Sequence, residues 1–342
     1  MYNLTDRLNS AANSNSYWSD KNVFVTGSTG FIGSWITREL VKSGANVISL
    51  IKDVHRLSTL DLVCGKEFKP KTLVYGDLRD YELLLRVLNE YEIAVCIHLA
   101  AQAIVGVANK SPLSTFESNI RGTWTLLEAC RNISSIESIV VASSDKAYGE
   151  PLKVPITEDH QLIATFPYDA SKACVDMIAR SYHTSFGLPV AVSRCCNIYG
   201  GADLNFSRII PDTIRSVLLD REPIIRSDGS PIRDFMYIDD AVSGYLILAK
   251  NMHRTEVAGN AFNFGTGKPI KVLELVSKII KIAGKQNLQP KIIGNKTNEI
   301  NVQYLDSIKA KQILNWETKT TLDDGLIKTI KWYKENSPAW CF

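Results

Sequence analysis

Short, almost wholly apolar runs alternate through the first 200 residues with longer stretches in which apolar positions recur every three or four. The runs Asn22–Thr26, Asn46–Ile51, Thr72–Tyr75, Ala94–His98, Ser138–Ser143 and Pro189–Cys195 read as strands, several of them apolar enough to be covered on both faces. Between them, Phe31–Lys42, Asp80–Tyr91, Thr115–Arg131 and Asp169–Phe186 carry helical periodicity. Strand–helix alternation of this kind predicts right-handed crossovers and an α/β fold with a doubly wound parallel Rossmann sheet.

Beyond residue 200 the alternation loosens. Ile209–Leu219, Asp239–Ala249, Val272–Ala283 and Leu322–Lys334 read as helices, Ala261–Phe264 as a short strand, and Pro231–Ile238 as a loop entering a strand. The division expected is a dinucleotide-binding domain over 19–200 to which 231–266 return, and a smaller C-terminal substrate-binding lobe from 201–230 and 267–342. Residues 1–18, rich in Asn and Ser, are expected to form a flexible leader without the apolar core of a signal peptide.

Composition changes this picture little. An apolar fraction of 45% and a charged fraction of 22% are ordinary for a soluble chain. The net charge is +3 and no window holds a block of Lys and Arg, so no nucleic-acid partner is expected. No apolar run is long enough to cross a bilayer, and no membrane partner is expected. The 7 cysteines are scattered without a C-x-x-C pair, which points to no disulfide framework, no metal site and a reducing cytoplasm.

The chemistry begins at the first turn. Gly27, Gly30 and Gly33 follow the apolar strand Asn22–Thr26 and open a helix, with Thr29, Phe31 and Ile32 between them. At that place one glycine permits the tight turn, the next lets backbone approach a pyrophosphate, and the third packs helix on strand. The helix N-terminus supplies N–H groups to the phosphates. Asp53, 20 residues past Gly33, has the spacing of a carboxylate on the adenosine ribose, which favours NAD. Lys52 and Arg56 are either a 2′-phosphate site, favouring NADP, or a solvated loop. Asp77 and Leu78 end the third strand beside the expected adenine. Leu99, Ala100, Ala101 and Gln102 close the fourth with mostly small side chains that leave room for the cofactor.

Tyr168 and Lys172 stand four apart at the start of a helix, on one face. A lysine beside a tyrosine is expected to lower the phenol's pKa, as a base for an alcohol requires. Ser144, in Ser143-Ser144-Asp145-Lys146, follows the fifth strand at the carboxyl end, where ligands bind in such sheets. Asp145 and Lys146 either take part in chemistry, pair with each other, or cap the following helix. Arg208, Arg233 and Asn197 suit a pyrophosphate, although each arginine can equally be a surface ion pair.

In these motifs, taken in order, the chain resembles the extended short-chain dehydrogenase/reductase family from about Trp18 to Trp332. Within it the chain is most similar to the nucleotide-sugar 4,6-dehydratases, the CDP-glucose type first. The resemblance rests on Thr26, the three glycines, Asp77, His98 with Ala100 and Ala101, Asn119, Ser144, Tyr168, Lys172, Asn197 and Arg233-Asp234-Phe235. It implies that Tyr168, with Lys172 and Ser144, deprotonates the sugar 4-hydroxyl during oxidation by the nicotinamide. Lys146 then removes the C5 proton, Asp145 protonates the departing 6-hydroxyl, and hydrogen returns to C6. Asn119, Asn197, Arg208 and Arg233 are implied in substrate binding.

The resemblance also implies a homodimer joined through the helices at Thr115–Arg131 and Asp169–Phe186. Trp124, Leu127, Met177 and Tyr182 serve either that contact or the core. Arg233-Asp234-Phe235-Met236-Tyr237 stands where the CDP-glucose type carries Arg-Pro-Trp, so base and sugar stay open. A 4-epimerase or decarboxylase of the same family is the alternative activity, and a non-catalytic dinucleotide-binding protein the remote one.

Overall fold

The computed structural model describes residues 17–54, 58–294 and 300–341. Arg56 and residues 1–16 of the expected leader lie outside them. Strands β1 (Asn22–Thr26), β2 (Asn46–Ile51), β3 (Thr72–Tyr75), β4 (Val95–His98), β5 (Ser138–Ala142), β6 (Val190–Cys195) and β7 (Ala261–Phe264) form one sheet. Its order is β3-β2-β1-β4-β5-β6-β7, with every pair parallel. The strand order reverses direction between β1 and β4, which opens a crevice at their carboxyl ends.

Alternate residues of each strand serve opposite faces. Val23, Val25, Val95, Ile97 and Val140 pack on one face, under α1 (Phe31–Lys42) and a helix over Ile238–Lys250. Phe24, Cys96, Ile139 and Val141 pack on the other, with Leu84, Leu126 and Val175 from α2 (Tyr81–Glu90), α3 (Gly122–Arg131) and α4 (Pro167–Phe186). Both faces being covered explains the near-continuous apolar character of the strands. Trp18, assigned from sequence to the leader, is instead a core residue at 4% exposure, and Tyr17 Oη donates to Ala249 O across 3.3 Å.

The helix expected over 115–131 is not continuous. An α-helical turn over Pro112–Phe116 passes into a π-turn over Glu117–Arg121 and then into α3. Short helices at Thr59–Cys64, Val105–Lys110 and Ile308–Leu314 escaped the periodicity, being only 6, 6 and 7 residues long. In the C-terminal part, helices Ile209–Leu218, Val272–Ile282 and Leu322–Glu335 pack on one another. The segment read as a loop entering a strand holds two short strands, Ile232–Arg233 and Phe235–Tyr237. The second pairs with Asn197–Tyr199, just after β6, and the first with Val302–Gln303.

Candidate active site

The carboxyl ends of the central strands open into a cavity of about 1260 Å³. That exceeds the roughly 300–1,000 Å³ of a single small-molecule site. Among the described residues, every one nominated from sequence for catalysis, cofactor or substrate, Asn119 apart, contributes to its wall.

At the β1–α1 turn, Gly27 has φ +76°, and a Cβ there would lie 2.7 Å from Ala100 N. A Cβ on Gly33 would lie 2.1 Å from Gly27 O, so α1 and the turn touch through backbone. The first turn of α1 carries no acidic residue and its N-terminus has no side-chain cap. Backbone N–H groups and the helix dipole therefore remain for an anion. The cradle fits the pyrophosphate of a dinucleotide. His98 braces it from below, its Nδ1 2.7 Å from Thr26 Oγ1 and its Nε2 2.8 Å from Thr123 Oγ1. Burial pushes the imidazole pKa down to about 3.

At the adenosine end, Asp53 lines the cavity. Asp77 and Lys52 line it too. The Asp77 carboxylate is taken by Arg79, through Nε and Nη2 at 2.9 Å each, and this hydrogen bonding holds its pKa far below the usual range. Lys52 Nζ lies 3.4 Å from the same carboxylate. Both cavity-lining groups thus belong to one cluster of opposite charges with Arg79.

The catalytic half is assembled where β5 ends. Ser144 caps a 3₁₀ turn over Asp145–Tyr148, its Oγ accepting from Lys146 N at 3.2 Å and donating to Asp145 Oδ1 at 3.0 Å. Pro167 at the first position of α4 starts that helix and puts Tyr168 in its first turn. One turn on, Lys172 Nζ donates to Ala142 O at 2.7 Å, and Ser143 Oγ donates to Lys172 O at 3.0 Å. These bonds fasten α4 to the end of β5.

The expected electrostatics need correction. Burial dominates at Tyr168 and pushes its pKa up to about 12, opposed first by the charge of Arg208 and then by hydrogen bonding to Ser144. Lys172 is itself pushed down to about 8 by burial, and its ammonium is spent on a carbonyl.

Asp145 and Lys146 do not pair with each other among the described residues. Asp145 is 3% exposed, and its Oδ2 is buried without a hydrogen-bond partner. Lys146 Nζ donates instead to Gln303 Oε1, from a distant strand. A second acid, missed from sequence, joins them: Asp169 is buried in the first turn of α4, and burial pushes its carboxyl up to about 6 against the pull of Lys146. It sat within the Tyr168-Asp169-Ala170-Ser171-Lys172 motif, but nothing in the spacing says that its side chain turns inward.

At the far end, Arg208 Nη1 donates to the buried Asp203 at 2.9 Å. Arg233 is 5% exposed, with Nη1 2.9 Å from Ile232 O. Asn197 Nδ2 donates to Asp234 O at 3.0 Å. Asn119, implied in substrate binding, does not reach the cavity. Its Oδ1 accepts from Gln102 N at 2.7 Å and its Nδ2 donates to Ser171 Oγ at 2.9 Å, so it clamps the β4 loop to α4.

Comparison with known proteins agrees with this arrangement. The family described as GDP-mannose 4,6 dehydratase matches residues 24–329. Among curated relatives, the chain is 31% identical over 339 residues to the CDP-glucose 4,6-dehydratase of Salmonella typhimurium, covering 95% of this chain and 92% of that one. It is 30% identical over 334 residues to the UDP-glucose 4-epimerase of Bacillus subtilis, covering 92% and 97%. Among solved structures, dTDP-glucose 4,6-dehydratase from Streptomyces venezuelae with NAD bound superposes with a TM-score of 0.84 at 28% identity, over 94% of this chain and 99% of that one. The chain belongs to the GDP-mannose 4,6 dehydratase family, a branch of the extended short-chain dehydrogenase/reductases.

Proposed function

We propose that the chain is an NAD-dependent nucleotide-sugar 4,6-dehydratase, converting an NDP-hexose to its 4-keto-6-deoxy form, with CDP-glucose the first substrate to try. One observation carries the choice over epimerisation. Asp145, with a buried unpartnered oxygen, and Lys146, unpaired with it, both face the cavity beside Tyr168. An alcohol–ketone exchange at C4 has no use for a further acid and base, whereas elimination across C5–C6 needs both.

The turn at Gly27–Gly33 and the walls at Asp53, Leu78 and Leu99–Gln102 would hold the dinucleotide. When bound, its nicotinamide supplies the redox chemistry, accepting hydrogen from C4 and returning it at C6. Tyr168 takes the 4-hydroxyl proton, and its burial makes that transfer depend on the Ser144 hydroxyl and the Arg208 charge. The 4-ketone acidifies C5–H. Lys146 takes that proton while Asp145 supplies one to the 6-hydroxyl, which leaves as water and creates the C5–C6 double bond. Lys146 then returns the proton to C5. Asn197, Arg208 and Arg233 would face the substrate's phosphates.

Support for NAD comes from the dehydratase structures of Streptomyces venezuelae and Bacillus anthracis, both described with NAD. The test separates the half-reactions. Asp145→Asn and Lys146→Met should keep C4 oxidation, read as reduced-nicotinamide absorbance, and lose water elimination by about 10²–10⁴-fold. Unchanged product formation in both variants would remove the dehydratase reading.

A further inference from the structure

Gln303 lies in the two-residue strand Val302–Gln303, far along the chain from the 3₁₀ turn over Asp145–Tyr148, and is 0% exposed. Its side chain nevertheless ends at that turn. The amide nitrogen donates to Asp145 O across 2.9 Å, and the amide oxygen accepts from Lys146 Nζ. The two contacts fix the sense of the amide. Turned over, its NH₂ would face the lysine's N–H groups and its oxygen the Asp145 carbonyl, two like-against-like pairs in a buried place. Gln303 does not line the cavity. Whatever it contributes therefore passes through the Lys146 side chain and the Asp145 backbone that it holds.

We propose that Gln303 is a positioning residue that aims Lys146 at the substrate's C5 proton, an inference resting on the assignment of Lys146 as the base. A neutral amine has two N–H donors and one lone pair. With one N–H held by Gln303, the lone pair is confined to directions away from the amide, on the cavity side. An amide suits the task because it accepts from both the ammonium and the amine, whereas a carboxylate would hold the proton that the base must give up. The strand supplies a second link. Gln303 is the register partner of Arg233, a cavity-lining residue, in a parallel pair. The backbone that places Arg233 at the substrate thus also places Gln303 at Lys146.

The test uses the NAD-loaded protein in deuterated water with CDP-, dTDP-, UDP- and GDP-glucose. Three rates are read in one turnover: C4 oxidation by absorbance, deuterium entry at C5, and loss of water by mass. Gln303→Met should slow C5 exchange and water loss by about 100-fold, the scale of a misplaced catalytic group, while C4 oxidation and KM stay within a few-fold. C4 oxidation in the same sample is the check that the variant is folded. Gln303→Asn, which keeps an amide but is one carbon short of Lys146, should give the same selective loss with less disturbance of packing. If wild-type protein releases no water from any donor, the dehydratase reading fails and takes this role with it. If wild type does release water but both variants slow all three rates equally, or none, the role of Gln303 alone is overturned.

Discussion

At Tyr168 two effects of opposite sign meet, and their balance was hidden in the sequence. The four-residue spacing to Lys172 is legible because helix geometry is local. Desolvation is not, since it depends on how deep the first turn of α4 sits beneath the β5 turn. Gln303 and Asp169 were missed for the same reason: a lone glutamine 157 residues from Lys146, and an acid inside a familiar motif, signal nothing until the fold brings them in.

His98 shows the same logic on a residue whose motif was legible. Its pKa is about 3 in the folded protein against 6.5 when exposed, so only the unfolded chain takes up this proton between those values. Stability from this group is intact above pH 6.5 and falls as pH drops through the window toward 3, by about 2 kcal/mol at pH 5. Asp169, raised from 3.8 to about 6, acts in the opposite sense, its contribution lost as pH rises through that range, so the comparison must be between variants. Urea unfolding at pH 7 and 5 should show wild type losing about 2 kcal/mol more than His98→Gln. Parallel losses would mean that the imidazole is charged in the folded state.

Among the elements, five of the six strands named before residue 196 were readable because both their faces are covered and they are continuously apolar, whereas the edge strand β3 buries Val74 and leaves Leu73 and Tyr75 exposed. The π-turn at Glu117–Arg121 was not. A single wide turn shifts the helical phase by only one residue, too little to disturb the apolar pattern over 115–131. That turn belongs to the segment that carries Asn119 inward, where its amide bonds Gln102 N, Gln102 O and Ser171 Oγ. Asn119→Ala takes this partner from Gln102 N and Gln102 O, while Ser171 Oγ keeps its bond to Tyr168 O, and should cost about 2–3 kcal/mol, seen as a lower urea midpoint at unchanged m-value. Because the Gln102 loop borders the expected cofactor site, the same variant should also bind NAD more weakly by calorimetry. A variant as stable as wild type would show that the clamp is redundant.

For the whole molecule, the parallel doubly wound sheet follows from alternation, whereas its strand order came from the structure and the C-terminal lobe was only sketched, its strands being two or three residues long and its contacts nonlocal. The structure does divide the four residues left between core and contact. Leu127 is fully buried and Tyr182 Oη reaches Glu128, while Trp124 at 44% and Met177 at 51% exposure stand outward on the adjacent helices α3 and α4. We propose that they form the dimer contact implied by the resemblance. Trp124→Glu combined with Met177→Glu should shift the protein to monomer in sedimentation velocity without loss of circular dichroism. An unaltered dimer would place the contact elsewhere.

The decisive property of this cavity is removal of water from a nucleotide-linked sugar. The most direct measurement is mass spectrometry of purified protein incubated with NAD⁺ and, separately, CDP-, dTDP-, UDP- and GDP-hexoses. The prediction is a product lighter than one donor by one water, with CDP-glucose tried first. An isomer of unchanged mass and inverted C4 would contradict it, leaving Tyr168 and the cofactor cradle in use and Asp145 and Lys146 without a chemical role.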